Sequence, residues 1–188
     1  AITVRMLSQQ SPRANRSVAR LEINLPSGVE LYANSQSVAV SPDSMTLAFV
    51  GVSGGIRQIF VRHFDQFDTA PVPGSETGSE CFFSPDGRSL GVLTNQGQLK
   101  TISLTNGLVV TLTEADFTAG GAWAPDNQIT FSRPDGLWRI RAAGGMPTQL
   151  TRLNRSKGEQ SHGTPTAIAD GKVILFTVVT GSGRGEAH

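Results

Sequence analysis

The chain has 188 residues, of which 38% are hydrophobic and 16% charged, with a net charge of +1. That length supports one domain with its own core, while scattered Lys and Arg residues without a basic block argue against nucleic-acid binding. Twenty-one glycines and ten prolines, with no long Ala/Glu/Lys/Leu-rich stretch, point to an all-β chain with many turns; no apolar run reaches the ~20 residues of a membrane span, so insertion is not expected.

The opening "AITVRMLSQQ" has neither a signal-peptide apolar region nor an initiator Met. Either a leader has been removed or the chain is part of a longer one. Residues 1–16 read as a flexible N-terminal segment. "SVARLEINLP", residues 17–26, reads as a strand without a sheet of its own. A first strand set then occupies residues 37–75: "SVAVSP", "MTLAFVGV", "RQIFVRHF" and a short "TAPVPG". The second, at 79–114, is the clearest: "SECFFS", "SLGVLT", "QLKTISL" and "VVTLTE". The third, at 120–152, repeats the plan with "GGAWAP", "QITFSR", "GLWRIRA" and "PTQLTR". A fourth, at 162–180, holds only "GTPTAI" and "KVILFTVV" before a tail at 181–188.

The sets share one punctuation mark, a turn between the first and second strands anchored by Asp43, Asp86, Asp126 and Asp170. In "FFSPDGRSLGVL", Pro85 presets φ, Asp86 bonds nearby backbone and Gly87 accepts positive φ, so the aspartate answers a backbone problem first. These anchors lie 43, 40 and 44 residues apart. A period of ~40–50 residues is that of a four-stranded propeller blade. The predicted fold is therefore all-β, a β-propeller of four-stranded antiparallel blades, with about three and a half to four blades in this chain. Strand alternation agrees: Leu137, Arg139 and Arg141 face one way, Trp138 and Ile140 the other. Phe60, Leu99, Trp138 and Phe176 are expected between blades.

These residues resemble the TolB-like, WD-repeat-like β-propellers, and within them the propellers attached to bacterial eukaryotic-like serine/threonine kinases. The resemblance is carried by "RLEINLPSG", "VAVSPDSMTLAFVG", "RQIFVRHFDQFDTAPVPGSE", "FFSPDGRSLGVL", "GAWAPDNQITFS", "GLWRIRAAGGMPTQLT" and "KGEQSHGTP", over residues 20–180. It implies a sensor-type domain on the extracytoplasmic side, binding a protein or small ligand at the channel face. No kinase signature is present, so phosphoryl transfer is not implied. Such propellers close with about six blades, which this chain does not supply. An open ring exposes sheet edges, and two copies sharing strands, a homodimer in which the strand at 17–26 completes the partner's fourth blade, would close one.

Several residues invite chemistry. "GVSGG" fits G-x-S-x-G, and a serine hydrolase would use Ser53 with His63 or His162 as base. The segment lies between two strands, where a glycine-rich hairpin is the plainer reading, and Asp65 and Asp68 are the nearest carboxylates to orient His63. Glu159, Ser161 and His162 stand before an innermost strand, as ligand-binding candidates at a channel mouth. Three His and the single Cys81, widely spaced, form no metal-ligand pattern, and no metal or cofactor is expected. Cys81 reads as a buried small apolar residue. Arg57, Arg62, Arg133, Arg139 and Arg141 read as solvated surface. The sequence leads to a non-catalytic binding or scaffold module, with the hydrolase and the obligate homodimer as alternatives.

Overall fold

A computed structural model of the chain describes Glu22, residues 24–32 and 36–114, Asp116, and residues 119–168 and 171–181. Among the described residues the structure is antiparallel β-sheet, with one short 3-10 turn at Arg155–Lys157. The first sheet contains β1 (Val29–Leu31), β2 (Val38–Val40), β3 (Thr46–Ser53), β4 (Ile56–His63) and β5 (Thr69–Pro71). β1 and β2 lie end to end along the same edge of β3, Leu31 opposite Gly51 and Val38 opposite Phe49. Together they form one interrupted innermost lane, so this blade too is four lanes wide. The second sheet runs β6 (Gly78–Phe83), β7 (Ser89–Thr94), β8 (Gln98–Ser103), β9 (Val109–Glu114). The third runs β10 (Gly121–Trp123), β11 (Gln128–Arg133), β12 (Gly136–Arg141), β13 (Thr148–Gln149). The fourth is the pair β14 (Glu159–Ile168) and β15 (Val173–Thr180).

One boundary differs from the expected one, and another expectation falls largely outside the described residues. The first blade begins at Val29 rather than near residue 37. Residues 17–26 lie mostly outside the described residues, and Glu22 and 24–26 belong to no strand. Of the N-terminal segment 1–16 and the tail 181–188, only Gly181 is described.

The aspartate turns follow the expected chemistry and add a relay. Ser84 Oγ donates to Asp86 Oδ1 at 2.6 Å and accepts the Ser89 N–H at 2.9 Å, while Asp86 Oδ1 also accepts the Arg88 N–H at 3.0 Å. Gly87, with φ of 70°, donates its N–H to the Ser84 carbonyl and closes the turn. Ser41 and Asp43 repeat this with the N–H groups of Thr46 and Met45, and Ser44 takes the left-handed position at φ 60°. Hydrogen bonds from the serine hydroxyl first, then from the backbone, hold Asp43 and Asp86 below the ordinary carboxylate range. In the third turn Ala124 has no hydroxyl; Asp126 Oδ1 still accepts the Gln128 N–H at 3.1 Å, but the strands rejoin one residue earlier. Asp170 lies outside the described residues.

Consecutive sheets pack face to face. Ala48, Val50 and Ile59 of the first sheet meet Cys81, Phe83, Leu90, Val92 and Ile102 of the second. The opposite face of the second sheet, with Phe82, Leu93 and Leu99, meets Ile129, Phe131, Ile140, Trp123 and Trp138 of the third. Alternation along β6 thus sends Cys81 and Phe83 one way and Phe82 the other. Leu99 and Trp138 lie between blades as expected. Phe60 does not: it stacks on Phe49 at 5.5 Å on the far face of the first sheet. Phe176, 37% exposed, rests against His162.

Candidate functional site

The innermost strands converge, and there the side chains close upon one another. Gln36, just before β2, accepts the Gly121 N–H on Oε1 at 2.9 Å, and buried Glu80 on β6 accepts the Gly120 N–H at 2.6 Å. Thr164 of β14 donates its N–H to the Ala119 carbonyl at 3.0 Å. A Cβ on Gly120 would stand 2.9 Å from Thr164 Cα and 3.0 Å from Gln36 Oε1, so glycine is what admits this approach. This end of the axis is sealed by hydrogen bonds.

The three expected channel-mouth residues belong to β14 itself. His162 is 4% exposed; Nδ1 lies 2.8 Å from Thr151 Oγ1 and Nε2 3.0 Å from Glu159 Oε2. Thr151 Oγ1 also accepts the Leu137 N–H, which leaves its own proton for Nδ1 and fits the Nε2–H tautomer of the ring. Glu159 Oε2 accepts the Asn154 N–H at 2.6 Å. That bond first, then the histidine, holds the Glu159 carboxyl below its ordinary range. Hydroxyl, imidazole and carboxylate stand in line, as acyl transfer requires, but the hydroxyl is committed to backbone and the ring is packed against Phe176 at 5.0 Å. The Ser132 hydroxyl donates to the His162 carbonyl. This constellation ties the fourth sheet to the third. Ser161 pairs opposite Val179, half-buried.

The hydrolase constellation is not assembled. Ser53 pairs with Ile56 across Gly54 and Gly55, at φ 57° and 79°, in a two-residue hairpin of the primed type. His63 closes the other end of the same hairpin opposite Thr46, whose hydroxyl lies 2.9 Å from Nδ1. Seven residues of strand separate Ser53 from that end, roughly 24 Å at ~3.4 Å per residue. Among the described residues no group of three His, Cys, Asp or Glu side chains is placed to hold a metal ion.

Sequence reasoning missed the open surface beside the sealed axis. Gln36, Thr164, Thr166, Leu175, Phe176 and Thr177 line a groove of about 420 Å³ between the first and fourth sheets. It continues onto β15, paired among the described residues with β14 on one side only. Seven of its eight residues are exposed, and none is charged. The signal was present in "VILFTVVT": a strand this apolar needs cover on both faces.

Four antiparallel sheets, radiating from one axis with innermost strands in sequence order, define a partial β-propeller. No protein-family model and no curated protein matches the chain. Solved structures do. TolB from Acinetobacter baumannii matches at 19% identity with a TM-score of 0.59, over 77% of this chain and 40% of its own. Oligogalacturonate lyase from Vibrio parahaemolyticus matches at 13% identity with a TM-score of 0.65, over 84% and 49% respectively. A chain of the mitotic checkpoint complex matches at 14% identity with a TM-score of 0.58, over 93% and 55%. The fold is that of the TolB-like and WD-like β-propellers. The chain spans about half the length of these structures, between 40% and 55%.

Proposed function

We propose that this chain is a non-catalytic β-propeller binding module, and that the polypeptide it recognises at the free edge of β15 is a second copy of itself. One observation carries the reading: an uncharged eight-residue strand whose outer edge is open among the described residues, with exposed Leu175, Phe176, Val178 and Val179. Such an edge is a template for strand pairing. It draws the expected binding surface away from the channel end, where Gln36 and Glu80 already accept the Gly121 and Gly120 N–H groups and His162 is held by Thr151 and Glu159.

The other end of the fan supports the choice of occupant. The far face of the first sheet exposes Leu31, Val38 and Val40 beside the Phe49–Phe60 stack, with Arg62 at its border. Sheet packs on sheet through apolar faces within the chain, and the fourth sheet of one copy against the first sheet of another continues that packing. Used twice about a two-fold axis, this heterologous contact closes a ring. Because the lyase named above carries an activity on the same fold, the fold does not decide catalysis; the distance between Ser53 and His63 supports the non-catalytic reading, as would absence of labelling by a fluorophosphonate.

Light scattering at several concentrations is the test. A two-chain mass is expected, reduced to one chain by Leu175→Lys with Val179→Lys, both at exposed positions. A single-chain mass for the unsubstituted protein at every concentration overturns the second-copy reading. An unaltered dimer in the lysine variant overturns the placement on β15.

A further inference from the structure

We infer that blade three carries an anion site, built by Arg139 and Arg141. Charge is unevenly distributed: residues 121–157 hold six basic and two acidic side chains in a chain whose net charge is only +1. Two of the six are already engaged. Arg133 stacks over Trp138 at 4.5 Å, and Arg155 donates to the Glu159 carbonyl. Arg139 and Arg141 are different: among the described residues neither guanidinium has an ion pair or a hydrogen bond.

Strand geometry directs both to one place. Residues i and i+2 share a face ~7 Å apart, and here the face is the one carrying Ser132, whose hydroxyl reaches the fourth sheet. Two strands of the fourth sheet leave the outer part of that face open. A cavity of about 440 Å³ remains, lined by Gln128, Arg139, Arg141, Gly144, Gly145 and Met146 among others, with no carboxylate in its wall. Gln128 stands opposite Arg141 in register, so an amide adds to the two guanidinium forks. The Gly144–Gly145 bend, at φ 90° and 119°, borders the cavity without side chains. Planar guanidinium donors grip oxyanions in pairs, so the site suits a compact group with two negative charges, a phosphate or a paired carboxylate. Met146, 91% exposed at the rim, offers apolar surface to the carbon skeleton of an organic anion.

The test is a titration with sodium phosphate and, separately, sodium malonate at constant ionic strength balanced by chloride. Arginine side-chain N–H resonances give the readout. Saturable shifts at Arg139 and Arg141 are expected, weakened about tenfold by Arg139→Gln or Arg141→Gln and unchanged by Arg88→Gln, an exposed turn arginine of another blade. Saturation by phosphate alone, or by malonate alone, identifies the source of the oxyanion. The inference fails if neither anion exceeds chloride, or if Arg88→Gln weakens binding as much as the blade-three variants. Arg141 is exposed, so its variant tests the site even if Arg139→Gln proves unstable.

Discussion

Alanine at Gly91 should destabilise this protein, although removing a glycine from a strand interior ordinarily gains about 0.5–1 kcal/mol. The reason is the Phe82 ring, which lies over Gly91 of its own sheet and against Gly121 of the next. A Cβ at residue 91 would stand 2.1 Å from Cε2 and 2.4 Å from Cζ of that ring; one at residue 121 would stand 2.3 Å from Cε1. Carbon atoms rest at about 3.5–4.0 Å, so the ring would have to retreat by more than ~1 Å, with Gly121 against its other edge. Overpacking of this kind costs about 1–3 kcal/mol, which exceeds the entropic gain and leaves a net loss of about 1–2 kcal/mol. Urea unfolding should show a lower midpoint with an unchanged slope. Phe82→Leu removes the obstruction, so the two changes together should be less harmful than their sum by at least about 1 kcal/mol. A neutral or stabilising Gly91→Ala, or strict additivity with Phe82→Leu, would refute the steric argument.

Cys81 offers a second check: burial, then the neighbouring Glu80 charge, pushes its thiol up to about 12. A thiol reagent at pH 8 should leave the native protein unmodified and react only as denaturant opens the fold; immediate stoichiometric reaction would contradict that environment. Asp43, Asp86 and Glu159 all titrate below their ordinary values in the folded state. Their contribution is therefore full above the unfolded carboxylate value of about 4 and is lost as pH falls through the lower folded values. Urea midpoints should drop below about pH 4, less steeply in Asp86→Asn, and a flat acid limb would sink this account. His162→Ala strands the Thr151 and Glu159 partners and opens a gap beside Phe176, at a cost of about 2–3 kcal/mol. Hydrogen exchange along β14 should accelerate; unchanged exchange and stability would mean that the tie carries no load.

The blade plan was legible because its chemistry is local. Asp86 meets partners within two residues, so Ser-Pro-Asp-Gly announces its turn without any distant contact, and Asp126 does so even with alanine in place of the serine. Alternation in β12 was equally readable, since Trp138 and Ile140 enter one core and Arg139 and Arg141 avoid it. What failed depended on partners far along the chain or on a satisfied interior. Nothing in residues 29–40 shows that two half-exposed strands share one lane of β3. His162 looked like a channel group because it precedes an innermost strand; only the folded chain reveals that Thr151 and Glu159 occupy both ring nitrogens. Phe60 was expected between blades as a large apolar strand residue, whereas register with Phe49 puts it on the opposite face.

The bond from Gln36 to Gly121 joins residues 85 apart and passes over an entire intervening sheet. In repeat arrays whose units touch only adjacent units, stability can be lost one unit at a time and folding spreads from any start. Here the first unit is latched directly to the third. Melting the third must loosen the first as well, so the molecule has no cheap way to fray from its amino-terminal end. On the ribosome the order is reversed, and the amino-terminal sheet is not latched until Gly121 has emerged.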